Sequence, residues 1–240
     1  MAMFYKMVIA YNGSEFLGYQ DNKSGPTIEG KLTSALEKIL QHPVNLEGAS
    51  RTDRGVHAEG QVITFETHKV LDLSKFKLSL NQLTPASIAV LSIKESESFH
   101  PTLDAKSKTY GYTIHNAPVP SPFHNHTAWH IPIALNLGRM QKAAKALIGK
   151  HNFQAFTQDT YDDYNRTIEE ITLSQEGEFI HCTITGDSFM YKMVRNIVGT
   201  LVLCGKDPSI DISTILKSKK RSLAGMCAPA HGLVLKQITY

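Results

Sequence analysis

A chain of 240 residues, 42% hydrophobic and 20% charged, has the composition of a folded globular protein, which argues against a disordered chain. A formal net charge of +3 permits nucleic-acid binding without requiring it, because affinity for a polyanion depends on how positive charge is clustered. Three cysteines, none in a C-x-x-C pair, argue against a disulfide framework or a zinc site. The apolar stretches are too short to span a membrane and the first residues lack a signal-peptide pattern, so we expect a cytoplasmic protein.

The first half of the sequence predicts strands that alternate with helices. Thr27 is the expected N-cap of the first helix, whose apolar residues recur with a 3.6-residue period, and His42-Pro43 is its expected stop. The remaining elements predicted here are strands at 5–11, 61–67 and 88–93 and a helix around 73–80.

The second half repeats this alternation around a proline-rich loop at 116–132. Gly149 and Gly205 are the expected ends of two helices, because glycine readily terminates a helix. The predicted elements are strands at 109–115, 167–173, 179–185 and 233–238, helices at 136–148 and from about 188 to 204, and a short basic helix near 212–218.

Alternation of strands and helices in both halves indicates an α+β fold. We expect two similar lobes with mixed, largely antiparallel sheets flanked by helices. The N-terminal lobe is predicted at residues 1–104 and the C-terminal lobe at residues 105–240.

Residues 48–61 contain the most informative motif of the chain. Asp53 lies between Arg51 and Arg54, directly before Gly55, in a stretch that is typical of a tight turn. A carboxylate beside arginines is favoured in its ionised form, which suits a nucleophile or a base. The alternative is that Asp53 only caps the turn and that the arginines are solvated surface charges.

Two further groups of residues are candidates for a binding site. Tyr110 and Tyr112 share one face of a predicted strand and alternate with lysines, so they can form a stacking surface for an unpaired base or can simply pack in the core. Arg195 lies in an apolar helix, where a buried guanidinium is expected to have an anionic partner such as Asp53. The alternative for Arg195 is a surface arginine whose aliphatic stem packs on the helix.

Other polar clusters carry weaker signals. The histidines at 115, 124, 126 and 130 are better explained by a surface loop than by a metal site, since no acidic or cysteine ligand completes the set. The basic string at 217–221 is either a solvated helix end or a phosphate contact. The sequence contains no P-loop, G-x-G-x-x-G or G-x-S-x-G motif, so we expect neither a cofactor nor a metal.

Taken together, these motifs resemble the tRNA pseudouridine synthase A family along nearly the whole chain. The two most specific are the Arg-Thr-Asp-x-Gly-Val-His loop and the Met-Val-Arg-Asn-Ile-Val-Gly helix. The matching motifs are Gly18-Tyr19-Gln20, Arg51-Thr52-Asp53, Gly55-Val56-His57-Ala58, Gln61-Val62, Phe99-His100, Tyr110-Gly111-Tyr112, Phe153-Gln154-Ala155-Phe156, Arg166-Thr167-Ile168, Met193-Val194-Arg195-Asn196-Ile197-Val198-Gly199, Ala228-Pro229 and Gly232-Leu233.

The resemblance implies an isomerase that converts uridine to pseudouridine in the anticodon stem-loop of tRNA, at tRNA positions 38, 39 and 40. It implies a catalytic cleft between the lobes and a homodimer that binds tRNA. No association with a membrane is expected. Asp53 is then the catalytic carboxylate, Tyr110 stacks on the target base and Arg195 pairs with Asp53. Arg51 occupies the space of the extruded uridine or contacts its backbone.

Four positions depart from the usual pattern of the family. Arg54 replaces a small residue, Tyr19 a tryptophan, Thr102 an arginine and Asn152 an aspartate. These positions bear on how the chain contacts RNA.

Two other functions are compatible with part of the sequence. One is an RNA-binding or RNA-folding module in which catalysis is incidental or lost. The other is a metal-dependent hydrolase that uses Asp53, His57 and the histidine-rich loop. A turnover assay on tRNA tests the first, and metal analysis of the purified protein tests the second.

Overall fold

The computed structural model describes residues 2–22 and 24–240, and the chain divides into two compact units. The first unit consists of Met1–Lys106 with Leu235–Tyr240, and the second of Ser107–Val234. The last strand, which we describe with the second unit, therefore starts in the second unit and ends in the first.

The first unit is built on antiparallel strands covered by two helices. Its elements are β1 (Met3–Tyr11), α1 (Ile28–Leu40), β2 (Glu47–Gly48), β3 (His57–Thr67), α2 (Leu73–Leu83) and β4 (Ile88–Ser96). Strand β1 pairs with both β3 and β4, and β2 pairs with β3, all antiparallel. Phe65 stacks on Tyr5 at 5.3 Å and on Phe76 of α2 at 6.1 Å between ring centroids, which joins the sheet to the helix.

The second unit contains four antiparallel strands in a row and the most buried helix of the described chain. Its elements are β5 (Ser107–His115), β6 (Trp129–His130), α3 (Leu137–Lys145), β7 (Gly149–Asn152), β8 (Asn165–Glu176), β9 (Phe179–Gly186), α4 (Met193–Lys206) and α5 (Ile212–Ser218), and the final strand β10 spans Leu233–Thr239. Strands β5, β9, β8 and β7 pair antiparallel in that order, while β6 pairs parallel to β5. The predicted α+β fold with largely antiparallel sheets is confirmed.

The predicted start of helix α4 near residue 188 is wrong, because the helix begins at Met193. The backbone of Tyr191 is bonded to side chains instead of to a preceding helical turn: its N–H donates to the Tyr161 hydroxyl at 2.9 Å and its carbonyl accepts from the Thr157 hydroxyl at 3.1 Å. The backbone of Lys192 is left-handed, with φ of 58°, so a right-handed helix cannot run through this residue and α4 begins at the next one. Gly205 was predicted to end α4 but lies inside it.

Among the described residues, no helix combines the length and the apolar character that crossing a bilayer requires.

Gly199 marks a place where another segment lies directly on α4. A Cβ atom at Gly199 would collide with the carbonyl oxygen of Met226. We expect Gly199→Ala to lower the free energy of unfolding by about 3 kcal/mol, because backbone must move to admit the methyl group. Urea unfolding measures this change. Gly138→Ala in α3, where the nearest atom would be a side-chain oxygen of Asn136 at 3.5 Å, is the control and is expected to be neutral or to stabilise by up to about 1 kcal/mol. Equal effects at the two positions would contradict the close approach at Gly199.

Candidate active site

The loop that carries Asp53 is a tight turn directly before β3, as the sequence predicts. The N–H of Val56 donates to the carbonyl of Asp53 at 3.1 Å, and Gly55 has φ of 82°, a conformation that glycine adopts at little cost. The turn bond therefore uses the backbone of Asp53 and does not require its carboxylate.

Several contacts hold the chain before the turn in place. The hydroxyls of Thr52 and Tyr11 lie 2.8 Å apart, and the N–H of Tyr19 donates to the Thr52 carbonyl at 3.0 Å. The side-chain amide of Gln61, which is fully buried in β3, donates to the carbonyl of Ser50. Because strand and loop residues on both sides fix the backbone, Asp53 is carried by a rigid support.

The charged side chains of this turn differ in their exposure to solvent. Asp53 is half-buried, whereas Arg51 and Arg54 are exposed. Exposed cations beside a half-buried carboxylate can attract an anionic substrate to this turn.

His57 follows the turn and serves the structure of the loop. Its Nδ1 accepts the N–H of Gly13 at 3.0 Å, so one ring nitrogen orders the backbone of a neighbouring loop. In the part of the chain that the structure describes, no group of three His, Cys, Asp or Glu side chains is arranged to hold a metal ion.

The two tyrosines of β5 have different environments. Tyr110 is 7% exposed and meets the edge of Phe189 at 5.3 Å with an interplanar angle of 87°. Tyr112 is 2% exposed, and its hydroxyl donates to the carbonyl of Pro229 at 2.8 Å. Burial raises the pKa of the Tyr112 hydroxyl, and Arg195 partly opposes that shift. Tyr112 is therefore a core residue, and only Tyr110 remains a candidate for stacking on a base.

Lys108 stands two residues before Tyr110, so the two side chains project from the same face of β5. Burial lowers the pKa of Lys108. The structure therefore places a desolvated amine beside the stacking candidate.

Arg195 is half-buried at the first turn of α4 and is bound to a neighbouring segment. Its Nε donates to the carbonyl of Ala228 at 2.7 Å, and the N–H of Ala228 donates back to the carbonyl of Arg195 at 3.2 Å. The first bond orients the guanidinium, and the second holds the backbone of Ala228 against the first turn of α4. Arg195 is thus not a solvated surface arginine.

Three of the positions that depart from the usual family pattern have structural partners. Tyr19 is buried with its ring against Gly48, and burial raises the pKa of its hydroxyl. The hydroxyl of Thr102 donates to the carbonyl of Gly48 at 3.1 Å, close to the start of the Asp53 loop. Asn152 accepts the N–H of Gln154 at 3.1 Å. These side chains support local structure in this chain.

The histidines singled out in the sequence do not all belong to a surface loop. His115 is 4% exposed and stacks on Phe179 at 4.9 Å, and His124 contacts the edge of the same ring at 4.7 Å. His130 lies 5.6 Å from His115 and its Nε2 is 2.8 Å from the carbonyl of Ala117. The surface-loop interpretation is therefore wrong for His115, which is part of the core at the end of β5.

Sequence reasoning missed the role of Arg221. The basic string was interpreted as a helix end or a phosphate contact, and Lys217, Lys219 and Lys220 are indeed exposed. Arg221 instead donates to the Gly225 carbonyl and to the side-chain oxygen of Asn196, both at 2.8 Å. No signal in the sequence separates this arginine from the lysines beside it.

The predicted site residues are divided between the two units. Asp53 and Arg51 lie in the first unit, and Tyr110 and Arg195 lie in the second. The pairing of Asp53 with Arg195 and the cleft between the lobes stay predictions.

Comparison with known proteins identifies similar chains of nearly equal length. Residues 7–102 and 143–240 match a family model described as tRNA pseudouridine synthase. The chain is 45% identical over 244 residues to tRNA pseudouridine synthase A 2 of Protochlamydia amoebophila, covering 98% of this chain and 93% of that protein. It is 40% identical over 239 residues to tRNA pseudouridine synthase A of a Thermoanaerobacter species, covering 98% of each. A solved chain from the crystal structure of a Cbf5-Nop10-Gar1 complex is 13% identical with a TM-score of 0.43, and the match covers 96% of this chain and 48% of that one.

Proposed function

The chain belongs to the tRNA pseudouridine synthase family, and we propose that it isomerises uridine to pseudouridine in the anticodon stem-loop of tRNA. The target uridines are those at tRNA positions 38, 39 and 40. The observation that carries this proposal is the half-buried Asp53 in a rigid turn beside two exposed arginines.

Asp53 is the catalytic carboxylate of the proposed reaction. The hydrogen bond that closes its turn is donated by Val56 to the backbone carbonyl of Asp53. Two routes use the same group. The carboxylate attacks C1′ of the ribose, or it takes the proton from C2′ to give a glycal.

Both routes balance without an added reactant. The N1–C1′ bond breaks and its electron pair leaves with the uracil. The detached base rotates and C5 forms the new bond to C1′. In the first route this bond displaces the carboxylate from C1′, and in the second C2′ of the glycal regains its proton from the carboxyl group. The C5 proton is then lost and N1 gains a proton, so the product is an isomer of the substrate.

Tyr110 supports the detached base. Extruding a uridine from its stack costs roughly a few kcal/mol, and base–aromatic stacking recovers about 1–3 kcal/mol per base. The edge contact with Phe189 limits how far the Tyr110 ring can turn. A ring held in this way can receive the base without a large loss of side-chain entropy.

Arg51 and Arg195 complete the proposed site. Arg51 is exposed beside Asp53 and occupies the space of the extruded uridine or contacts its backbone. Arg195 pairs with Asp53 and holds the carboxylate in line with the ribose. Lysines and arginines on the surface supply most of the affinity for tRNA through phosphate contacts.

An assay on unmodified tRNA tests the proposal. The purified protein is incubated with transcribed tRNA that carries uridines at positions 38, 39 and 40, and pseudouridine is mapped at each position. We expect pseudouridine in the anticodon stem-loop and nowhere else in the transcript. Tight binding with every uridine left unchanged would instead indicate an RNA-binding module.

The protein is expected to act in the cytoplasm. Its cysteines are free, with Cys182 and Cys204 buried, which is typical of proteins in a reducing compartment.

We expect the protein to form a stable homodimer in which both subunits contribute basic surface to one tRNA. A protein of 26.6 kDa contacts only part of a tRNA, so a second subunit extends the binding surface. Light scattering at micromolar concentration measures the mass, and activity is measured on the same sample. A monomer with full activity would refute this prediction.

A further inference from the structure

Residues 224–229 lie along one side of helix α4 and are bound to it at several points. Gly199 leaves room for Met226, and the N–H of Gly225 donates to the hydroxyl of Thr200 at 3.0 Å. Further along the segment, Ala228 exchanges hydrogen bonds with Arg195. The same segment therefore contacts α4 at two successive turns and ends at the guanidinium of Arg195.

Arg221 closes the start of this segment onto the helix. Its Nη1 donates to the carbonyl of Gly225 at 2.8 Å and lies 3.4 Å from the carbonyl of Ala224, while its Nη2 donates to Oδ1 of Asn196 at 2.8 Å. One planar group thus joins the segment to the residue that follows Arg195 in the sequence. Hydrogen bonds that are donated by a charged guanidinium are stronger than hydrogen bonds between neutral groups.

Asn196 is itself fixed from several directions. It is 1% exposed, its Nδ2 donates to the carbonyl of Phe156 at 2.7 Å, and its own carbonyl accepts from the Thr200 hydroxyl at 2.7 Å. The partner of Arg221 on α4 therefore has little freedom to move. A buried polar network of this kind defines one position for the groups that it joins.

We propose that Arg221 is a positioning residue for Arg195. It holds residues 224–228 against α4, so the carbonyl of Ala228 stays where it can accept from Nε of Arg195 and set the plane of that guanidinium. This inference rests on the proposed function, in which Arg195 acts in the isomerisation. Arg221 then affects the chemical step without contacting RNA.

The chemistry of the contacts requires arginine at position 221. The two terminal nitrogens reach Gly225 and Asn196 at the same time because they are held in one plane. A lysine at this position retains the charge but presents a single nitrogen. Arg221→Lys is therefore expected to lose the clamp while keeping the protein folded and the basic surface unchanged.

A double-mutant cycle measures whether Arg221 acts through Arg195. Single-turnover rates on tRNA are compared for wild type, Arg221→Lys, Arg195→Met and the double variant. We expect Arg221→Lys to reduce the rate about 10²-fold in the wild-type background, because a small displacement of a catalytic group has that effect. In the Arg195→Met background, Arg221→Lys is expected to reduce the single-turnover rate by less than about threefold, since the group that Arg221 positions is already absent. Affinity for tRNA is expected to stay within about threefold throughout.

Arg139→Met is the matched control. Arg139 is also half-buried and its Nη2 donates to a backbone carbonyl, that of Gly205, at 3.0 Å near the other end of α4. Its loss is expected to leave the single-turnover rate unchanged. The inference would be overturned if Arg139→Met and Arg221→Lys reduced the single-turnover rate equally. It would also be overturned if Arg221→Lys reduced the rate equally in both backgrounds or did not reduce it at all.

Hydrogen exchange tests the clamp without any substrate. The amides of Gly225 and Ala228 are expected to exchange at least about tenfold faster in Arg221→Lys, because releasing the segment breaks their bonds to Thr200 and Arg195. Unchanged exchange at both amides would overturn the inference even if activity falls. If wild-type protein makes no pseudouridine, the proposed function fails, whereas the exchange result still reports on the clamp.

Discussion

An Asp53→Asn protein is expected to form no detectable pseudouridine and to bind tRNA within about tenfold of wild type, a difference of about 1.4 kcal/mol. The amide has nearly the shape of the carboxylate but can neither attack C1′ nor take a proton from C2′. A nucleophile or base contributes far more to the transition state than to ground-state binding, so the rate and the affinity separate. The measurements are single-turnover isomerisation and filter binding on the same tRNA.

The substitution is expected to preserve the fold of the loop. The hydrogen bond that closes the turn is donated by Val56 to the backbone carbonyl of Asp53, which asparagine keeps. Asp72→Asn is the matched control, because Asp72 is an N-cap carboxylate of the same unit and asparagine caps a helix equally well. Normal turnover by Asp53→Asn would remove Asp53 from the mechanism, and a loss with Asp72→Asn would show that the assay reports on stability.

Helices whose ends are determined by local side chains were predictable from the sequence. Helix α1 begins after Thr27, whose hydroxyl accepts the N–H of Gly30 at 3.2 Å, as its N-cap pattern predicts. Helix α4 begins later than predicted, because Tyr161 and Thr157 bind the backbone of Tyr191 from distant positions in the sequence. Apolar periodicity cannot detect a helix start that depends on such long-range partners.

The same limit applies to the candidate site. The turn at Asp53 was predictable, because aspartate and glycine have strong local preferences in turns. Strand alternation correctly placed Tyr110 and Tyr112 on one face of β5. It could not show that Tyr112 is bonded to Pro229, since this partner lies 117 positions further along the chain. The contacts of Arg221 depend in the same way on tertiary packing.

Replacement of Arg195 is expected to have the second largest effect on the reaction. Arg195→Lys retains the positive charge but loses the Nε donor that binds the Ala228 carbonyl at 2.7 Å. We expect its single-turnover rate to fall about 10²-fold, because the remaining ammonium cannot take the same orientation. Arg195→Met also removes the charge, and its rate is expected to fall about 10³-fold, as for the loss of a charge-stabilising donor in a catalytic site.

The effect of Arg195 on rate can be separated from its effect on folding. Loss of the Ala228 hydrogen bond is expected to reduce the free energy of unfolding by about 2 kcal/mol, which leaves a domain of ordinary stability folded. Lys206→Met, at the exposed last turn of the same helix, is the control and is expected to change stability by less than about 0.5 kcal/mol with no change in rate. If Arg195→Met lost stability but turned over at a near-normal rate, Arg195 would only bind residues 224–228 to α4. A rate that falls in the order arginine, lysine, methionine while tRNA affinity stays constant would instead support the proposed role of the Arg195 guanidinium in orienting the Asp53 carboxylate.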